Sequence, residues 1–168
     1  LAAGNRVMVK PSELTPAFSA LFEKIVAEAF PDGLVTVHVG GPDVAQAFSG
    51  LQFDHLFFTG STSVGRLVHQ AAAQHLVPVT LELGGKSPTV IDRGHDLKAA
   101  ALSVVTGKMT NAGQTCVAPD HVFVHEDDKE GFVAALRQAA NQLYPSLDTT
   151  SDLSSIISAR HHARLLQI

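Results

Sequence analysis

The sequence predicts an α/β fold, a doubly wound parallel sheet with helices packed on its faces, and three observations predict it. Short apolar runs alternate with amphipathic stretches along the chain. Several runs, such as Leu56-Phe57-Phe58, are bare of polar residues, which suits strands covered on both sides. Gly and Pro clusters punctuate the junctions. Strand followed by helix followed by strand gives parallel pairing through right-handed crossovers.

In order, residues 6–10 read as a strand. Thr15-Pro16 then opens a helix, with Thr15 as N-cap and Pro16 at the first position. Phe18, Leu21, Phe22, Ile25 and Ala29 form its apolar face, and Pro31-Asp32-Gly33 stops it. Residues 34–39 are a β-branched strand ending at Gly40-Gly41, and a short helix spans residues 43–48. A strand at residues 55–59 leads into Gly60-Ser61-Thr62, which caps a helix with apolar positions Val64, Leu67, Val68 and Ala71. Residues 77–83 are another strand. Gly84-Gly85 interrupts the pattern, and the domain boundary is placed near residues 84–86. A strand at 87–91, a helix from Asp96, a strand at 121–125 and a helix through Phe132, Leu136, Ala140 and Leu143 follow, with Asp127-Asp128 read as that helix's cap. Residues 146–155 are polar and turn-like, and a last helix runs through Ala163, Leu165 and Leu166 with no stop signal after it.

Composition narrows the function classes. Hydrophobic residues are 45% and charged residues 17% of the 168 positions, a balance that supports a buried core. The net charge of −4, without a basic stripe, gives nucleic acid no electrostatic footing as a partner. No apolar run approaches the roughly 20 residues that span a bilayer. One cysteine cannot close an internal disulfide, which fits a reducing, cytoplasmic setting. The nine histidines are scattered, His161-His162 read as solvated, and nothing has zinc-ligand spacing, so no metal site is expected.

Taken alone, the chemistry-bearing residues have modest readings. Cys116 reads as a small buried hydrophobe, and Glu82 as a surface charge at a strand end. Lys10-Pro11-Ser12-Glu13 reads as a strand-to-helix connection with solvated charges. The loop Gly60-Ser61-Thr62-Ser63-Val64-Gly65 opens a helix, whose free N–H groups and partial positive charge can hold a phosphate. It departs from the G-x-G-x-x-G fingerprint, because Thr62 stands where the second Gly belongs, and a well-capped helix start is the alternative. Gly84-Gly85-Lys86-Ser87 is no P-loop: Thr80 occupies the leading Gly position, and a strand follows where a helix is needed.

In combination the segments say more. Lys10-Pro11-Ser12-Glu13, Phe58-Thr59-Gly60-Ser61, Val79-Thr80-Leu81-Glu82-Leu83-Gly84-Gly85-Lys86-Ser87-Pro88 and Asn111-Ala112-Gly113-Gln114-Thr115-Cys116 occur in that order. This set resembles the aldehyde dehydrogenase superfamily over most of the chain. Cys116-Val117-Ala118-Pro119-Asp120 is most similar to its class 3 branch, which includes fatty, aromatic and coniferyl aldehyde dehydrogenases. The resemblance implies a Rossmann-like NAD(P)-binding part at residues 1–84, followed by the start of an α/β catalytic domain at residues 85–168. It implies oxidation of an aldehyde, aromatic or hydrophobic as in coniferyl aldehyde, to the carboxylic acid. Cys116 is the implied nucleophile, forming a thiohemiacetal and then a thioester, with its own backbone N–H as an oxyanion donor. Glu82 is the implied general base for thioester hydrolysis, a role served by a carboxylate whose pKa burial raises. Its presence favours hydrolysis to the acid over transfer to CoA.

The implied cofactor is NAD, with NADP as an alternative. Glu13 would accept hydrogen bonds from the adenosine ribose and repel a 2′-phosphate, and Lys10 partly offsets that repulsion. Ser61, with Gly60, Thr62, Ser63, Val64 and Gly65, would contact the pyrophosphate, and Leu83 the nicotinamide side through its backbone. Asn111 is not the family's oxyanion asparagine and is expected to shape the Cys116 loop. That asparagine, a later glutamate for the nicotinamide ribose, the oligomerisation strands and much of the substrate tunnel have no counterpart here. The first residue is not Met, and both ends read as cut. The expectation is a piece of a longer enzyme, homodimeric when whole and poorly active as this chain alone. The competing expectations are a non-catalytic nucleotide-binding or assembly fragment, and a generic doubly wound domain with an occluded Cys116.

Overall fold

Parallel pairing is the rule in the strands of the computed structural model, which describes residues 1–147 and 149–168. The chain folds as two units, Leu1–Leu83 and Gly84–Ile168. The first contains β1 (Val7–Val9), α1 (Pro16–Ala29), β2 (Val35–Val37), α2 (Pro42–Ser49), β3 (Leu56–Gly60), α3 (Thr62–Ala73) and β4 (Val79–Leu83). β1 pairs with β2, aligning Val7 with Val35, and β3 pairs with β4, aligning Leu56 with Val79 and Gly60 with Leu83. Helix alternating with strand is as the pattern predicts. Among the described residues, however, the ladders are two-stranded, not joined into one sheet.

The core of this unit is Leu56, Val68, Ala72 and Val77, with Phe48, Phe53, Phe58 and Val79 packed against it. Burying these side chains is the main stabilising term, about 25 cal/mol per Å² of apolar surface removed from water. α1 buries a different face from the one predicted, and α3 buries only part of the predicted one, Val68. In α1 the predicted stripe is largely outward: Phe18 is 60% and Ile25 52% exposed, while Ser19 and Val26 are buried. In α3, Gly65, Val68 and Ala72 are buried, and Val64 and Leu67 are exposed. Periodicity marks an apolar stripe; what lies against it is decided by neighbouring elements. β3 likewise has one covered face, since Leu56 is buried and Phe57 is 63% exposed. Thr15 stands at the α1 N-cap position but makes no side-chain cap; its hydroxyl donates to the Ser12 carbonyl instead.

The second unit contains β5 (Ser87–Val90), α4 (Leu97–Met109), β6 (Pro119–Phe123), α5 (Lys129–Leu143) and α6 (Ala159–Leu165). β5 and β6 are parallel, with a register irregularity between Ser87 and Pro88. β6 starts two residues earlier than predicted; Pro119 is tolerated there because a first strand residue need not donate to the ladder. α4 starts beside Asp96 as predicted, and Asp96 is its cap, its carboxylate accepting from the N–H groups of Lys98 and Ala99. Asp128 stands at the α5 N-cap position but makes no side-chain cap; His125 Nδ1 accepts from the Asp127 N–H, and the Asp127 carboxylate pairs with Arg93 at 2.8 Å. α6 closes at Leu165, with Leu166 as its C-cap, so the last helix stops before Ile168.

Ile91, Ala100, Ala101, Phe132 and Ala135 form the core of this unit, joined by Leu97, Val104, Val122, Val124 and Leu136. Alanines on the facing sides of α4 and α5 allow close approach of the two helices, and Phe132 is the one large ring in that buried set. Phe132→Ala is expected to cost about 3–5 kcal/mol through lost transfer energy and a residual cavity. Urea unfolding checks this, and a loss under about 1 kcal/mol would place Phe132 outside the core.

Candidate active site

In the first unit the chemistry-bearing residues follow the carboxyl ends of parallel strands, where ligands bind in open α/β sheets. The β3–β4 register sets Glu82 opposite Thr59 and Leu83 opposite Gly60, so both stand beside the start of the Gly60–Gly65 loop. Ser61 is the N-cap of α3, and its Oγ accepts from the Val64 N–H at 3.3 Å. Ser63 Oγ lies 3.0 Å from Ser61 Oγ. The N–H groups of Thr62 and Ser63, in the first helical turn, have no acceptor inside the helix. Together with the helix dipole they are suited to an anion. Gly65 fits closely: a Cβ there would come within 2.9 Å of Leu83 Cδ2. The missing second Gly of the dinucleotide fingerprint is thus occupied by Thr62, an ordinary first residue of a capped helix.

Lys10 and Glu13 pair with each other beyond the carboxyl end of β1. Lys10 Nζ donates to the Pro11 carbonyl and lies 3.5 Å from Glu13 Oε2. One carboxylate oxygen of Glu13 therefore remains outside the ion pair. Glu82 is exposed in its own unit.

In the second unit Cys116 is exposed, contrary to the burial expected of an isolated cysteine. After α4, Asn111, Ala112 and Gly113 all adopt positive φ (53°, 53° and 75°). Positive φ is costly for Ala112 and natural for Gly113, so this turn is held by its surroundings. Asn111 shapes it as expected: its carbonyl accepts from the Gln114 N–H, and its Nδ2 donates to the Gln114 carbonyl. Past the turn, Ser87 Oγ donates to the Cys116 carbonyl at 3.5 Å, and a Cβ on Gly85 would sit 3.9 Å from that same oxygen. The segment that resembles a P-loop runs into a strand, and its Lys86 pairs with Asp120, 2.9 Å away, at the start of β6. Sequence reasoning missed Ser87, Asp120 and the side-chain bonds of Gln114. A cross-strand partner leaves no local signal in the sequence. Among the described residues, no group of three His, Cys, Asp or Glu side chains could hold a metal ion, and no helix is long and apolar enough to cross a membrane.

The hydrogen bond from Lys86 holds the Asp120 carboxyl below its ordinary value of 3.8, with the Lys86 charge and His121 adding to the effect and desolvation opposing it. A lowered folded pKa means that the pair's contribution to stability is present above the ordinary value. It is lost as pH falls through the lowered one. Lys86→Met is expected to return the Asp120 midpoint toward 3.8, read by NMR titration of the side-chain carboxyl. An unmoved midpoint would show that the pair does not form in solution.

Comparison with known proteins fits this geometry. The family described as aldehyde dehydrogenase matches residues 1–168. The chain is 52% identical over 164 residues to the probable coniferyl aldehyde dehydrogenase of Caulobacter vibrioides, covering 98% of this chain and 34% of that protein. The substrate-bound state of Staphylococcus aureus AldH gives a TM-score of 0.93 at 42% identity, covering 99% of this chain and 36% of that one. An aldehyde dehydrogenase C mutant from Pseudomonas syringae, complexed with NAD+ and octanal, gives 0.86 at 32% identity, covering 99% and 35%. The chain thus spans about a third of the length of these relatives. Its α/β fold is theirs over that span, and the chain belongs to the aldehyde dehydrogenase family.

Proposed function

We propose that this chain carries the nucleophile, the general base and part of the dinucleotide site of an enzyme that oxidises an aldehyde to its acid. The observation that carries the proposal is the state of Cys116: the sole cysteine is exposed three residues past a turn of positive-φ residues, in the family's motif, with its carbonyl hydrogen-bonded to Ser87. Residues 1–84 would form part of the NAD(P)-binding domain and residues 85–168 the start of the catalytic domain.

In this reading the Cys116 thiolate attacks the aldehyde carbon. A C–S bond forms, and the carbonyl electron pair moves onto oxygen, where the Cys116 N–H can donate to it. NAD, when bound, supplies the acceptor for the hydride that leaves this carbon. The carbonyl then re-forms as a thioester on Cys116. Glu82 takes a proton from water, the water oxygen bonds to the acyl carbon, and the C–S bond breaks to release the acid and restore the thiolate. The first-turn N–H groups of Thr62 and Ser63, with Ser61, would hold a pyrophosphate oxygen. Glu13 would accept from ribose hydroxyls, which favours NAD, and the Lys10 charge beside it makes NADP tolerable. A hydrophobic or aromatic aldehyde is the proposed substrate, supported by the name of the Caulobacter vibrioides relative and by the octanal complex. A dimer is the proposed assembly of the whole protein.

Two variants test the assignment in the complete protein. Cys116→Ala is expected to remove aldehyde-dependent NAD reduction, and retained turnover would end the proposal. Glu82→Gln is expected to slow steady turnover about 10²–10⁴-fold while acyl-enzyme accumulates on Cys116, seen as an added acyl mass. Slow turnover without that adduct would remove Glu82 from the hydrolytic step.

A further inference from the structure

Gln114 is tied to more of the chain than its place in a loop requires. Its Nε2 donates to the Asn111 carbonyl at 3.0 Å and to the Ser155 carbonyl at 3.1 Å. Its Oε1 accepts from the Ile157 N–H at 2.9 Å. One side chain thus bonds to three backbone groups, two of them more than 40 residues ahead. The amide suits the task because it has donors and an acceptor on one planar group. The tethered strand of chain, residues 155–157, leads directly into α6, whose N-cap Ser158 accepts from the His161 N–H. With Gln114, the side chains Ile156, Ile157, His161, Arg164 and Leu165 line one shallow cavity.

The other end of Gln114 is the loop of Cys116, two residues on. Residues 111–113 are the left-handed stretch that needs outside support. Ser87 holds the Cys116 carbonyl on one side, and Gln114 holds the turn on the other. We propose that Gln114 is a positioning residue, which uses the segment 155–157 as an anchor to fix the loop that aims the Cys116 thiolate. The proposal rests on Cys116 being the nucleophile, and its effect is on geometry, since Gln114 is not placed to touch a reacting atom. A nucleophile displaced by about 1 Å can lose on the order of 10²-fold in rate.

The test uses Gln114→Met, which keeps the length of the side chain and removes all three bonds, in the complete protein. Three quantities are read: amide hydrogen exchange at Ile157, the rate of Cys116 alkylation by iodoacetamide across pH, and the split between kcat and KM. Exchange at Ile157 is expected to accelerate about tenfold or more as its acceptor is lost. Alkylation is expected to change about threefold or more, and kcat to fall about tenfold or more with the KM for NAD within about twofold. Gln114→Glu is the second variant, which keeps an acceptor for Ile157 but sets a carboxylate against two carbonyls. It is expected to preserve Ile157 protection while alkylation still changes. Faster exchange at Ile157 with unaltered alkylation in the methionine variant would reduce Gln114 to a structural tether and overturn the proposal. Unaltered exchange would show that the anchor is not made. Exchange and alkylation need no turnover, so they decide the role of Gln114 even where the aldehyde reaction itself is not found.

Discussion

The parallel pairing of β5 with β6 is the constraint on which the second unit's chemistry depends. Aligning Ser87 with Pro119 puts the start of β5 beside the residues that precede β6, and those residues include Cys116. The Ser87 hydroxyl then reaches the Cys116 carbonyl, and Lys86 reaches Asp120. Neither contact is local: each closes a span of about 30 residues through a ladder whose backbone bonds are set by the strands themselves. The small break in register at Ser87 falls at the point where the loop must leave the ladder, a common use of such irregularities.

Register does the corresponding work in the first unit. The β3–β4 pairing places Glu82 and Leu83 across from Thr59 and Gly60, so a strand end and a capped helix start share one edge. Gly65 lies against the Leu83 side chain, where a Cβ would come within 2.9 Å of Leu83 Cδ2, so α3 packs close to β4. The helix start that could hold phosphate is therefore positioned by the same packing that builds the Leu56–Val68–Ala72–Val77 core. Stability and site geometry come from one set of contacts.

Much of this was legible beforehand, in particular places and for identifiable reasons. Strand and helix order followed from β-branched runs and Gly or Pro stops, because those signals are local. Ser61 was readable as a helix cap, and Asp96 as a helix start, because a cap acts within three residues. Thr15 and Asp128 show the limit of that logic: each has the right chemistry at the N-cap position, but neither side chain makes the cap bond. The outward Phe18, Ile25, Val64 and Leu67 show a second limit, since spacing defines a face without naming what it meets.

The sequence by itself determined the alternation of elements, the family, and the residue types that can act as nucleophile, base and anion holder. These depend on short-range preferences and on motifs whose order survives in one dimension. Only the tertiary structure decided that Cys116 is exposed, that a left-handed turn precedes it, that Ser87 bonds to the Cys116 carbonyl, and that Gln114 bonds to Ser155 and Ile157. It also decided which helix faces are buried. The physical reason is the same in each case: a hydrogen bond or a buried contact between distant positions depends on strand register and helix packing, and those are fixed only when the whole unit folds.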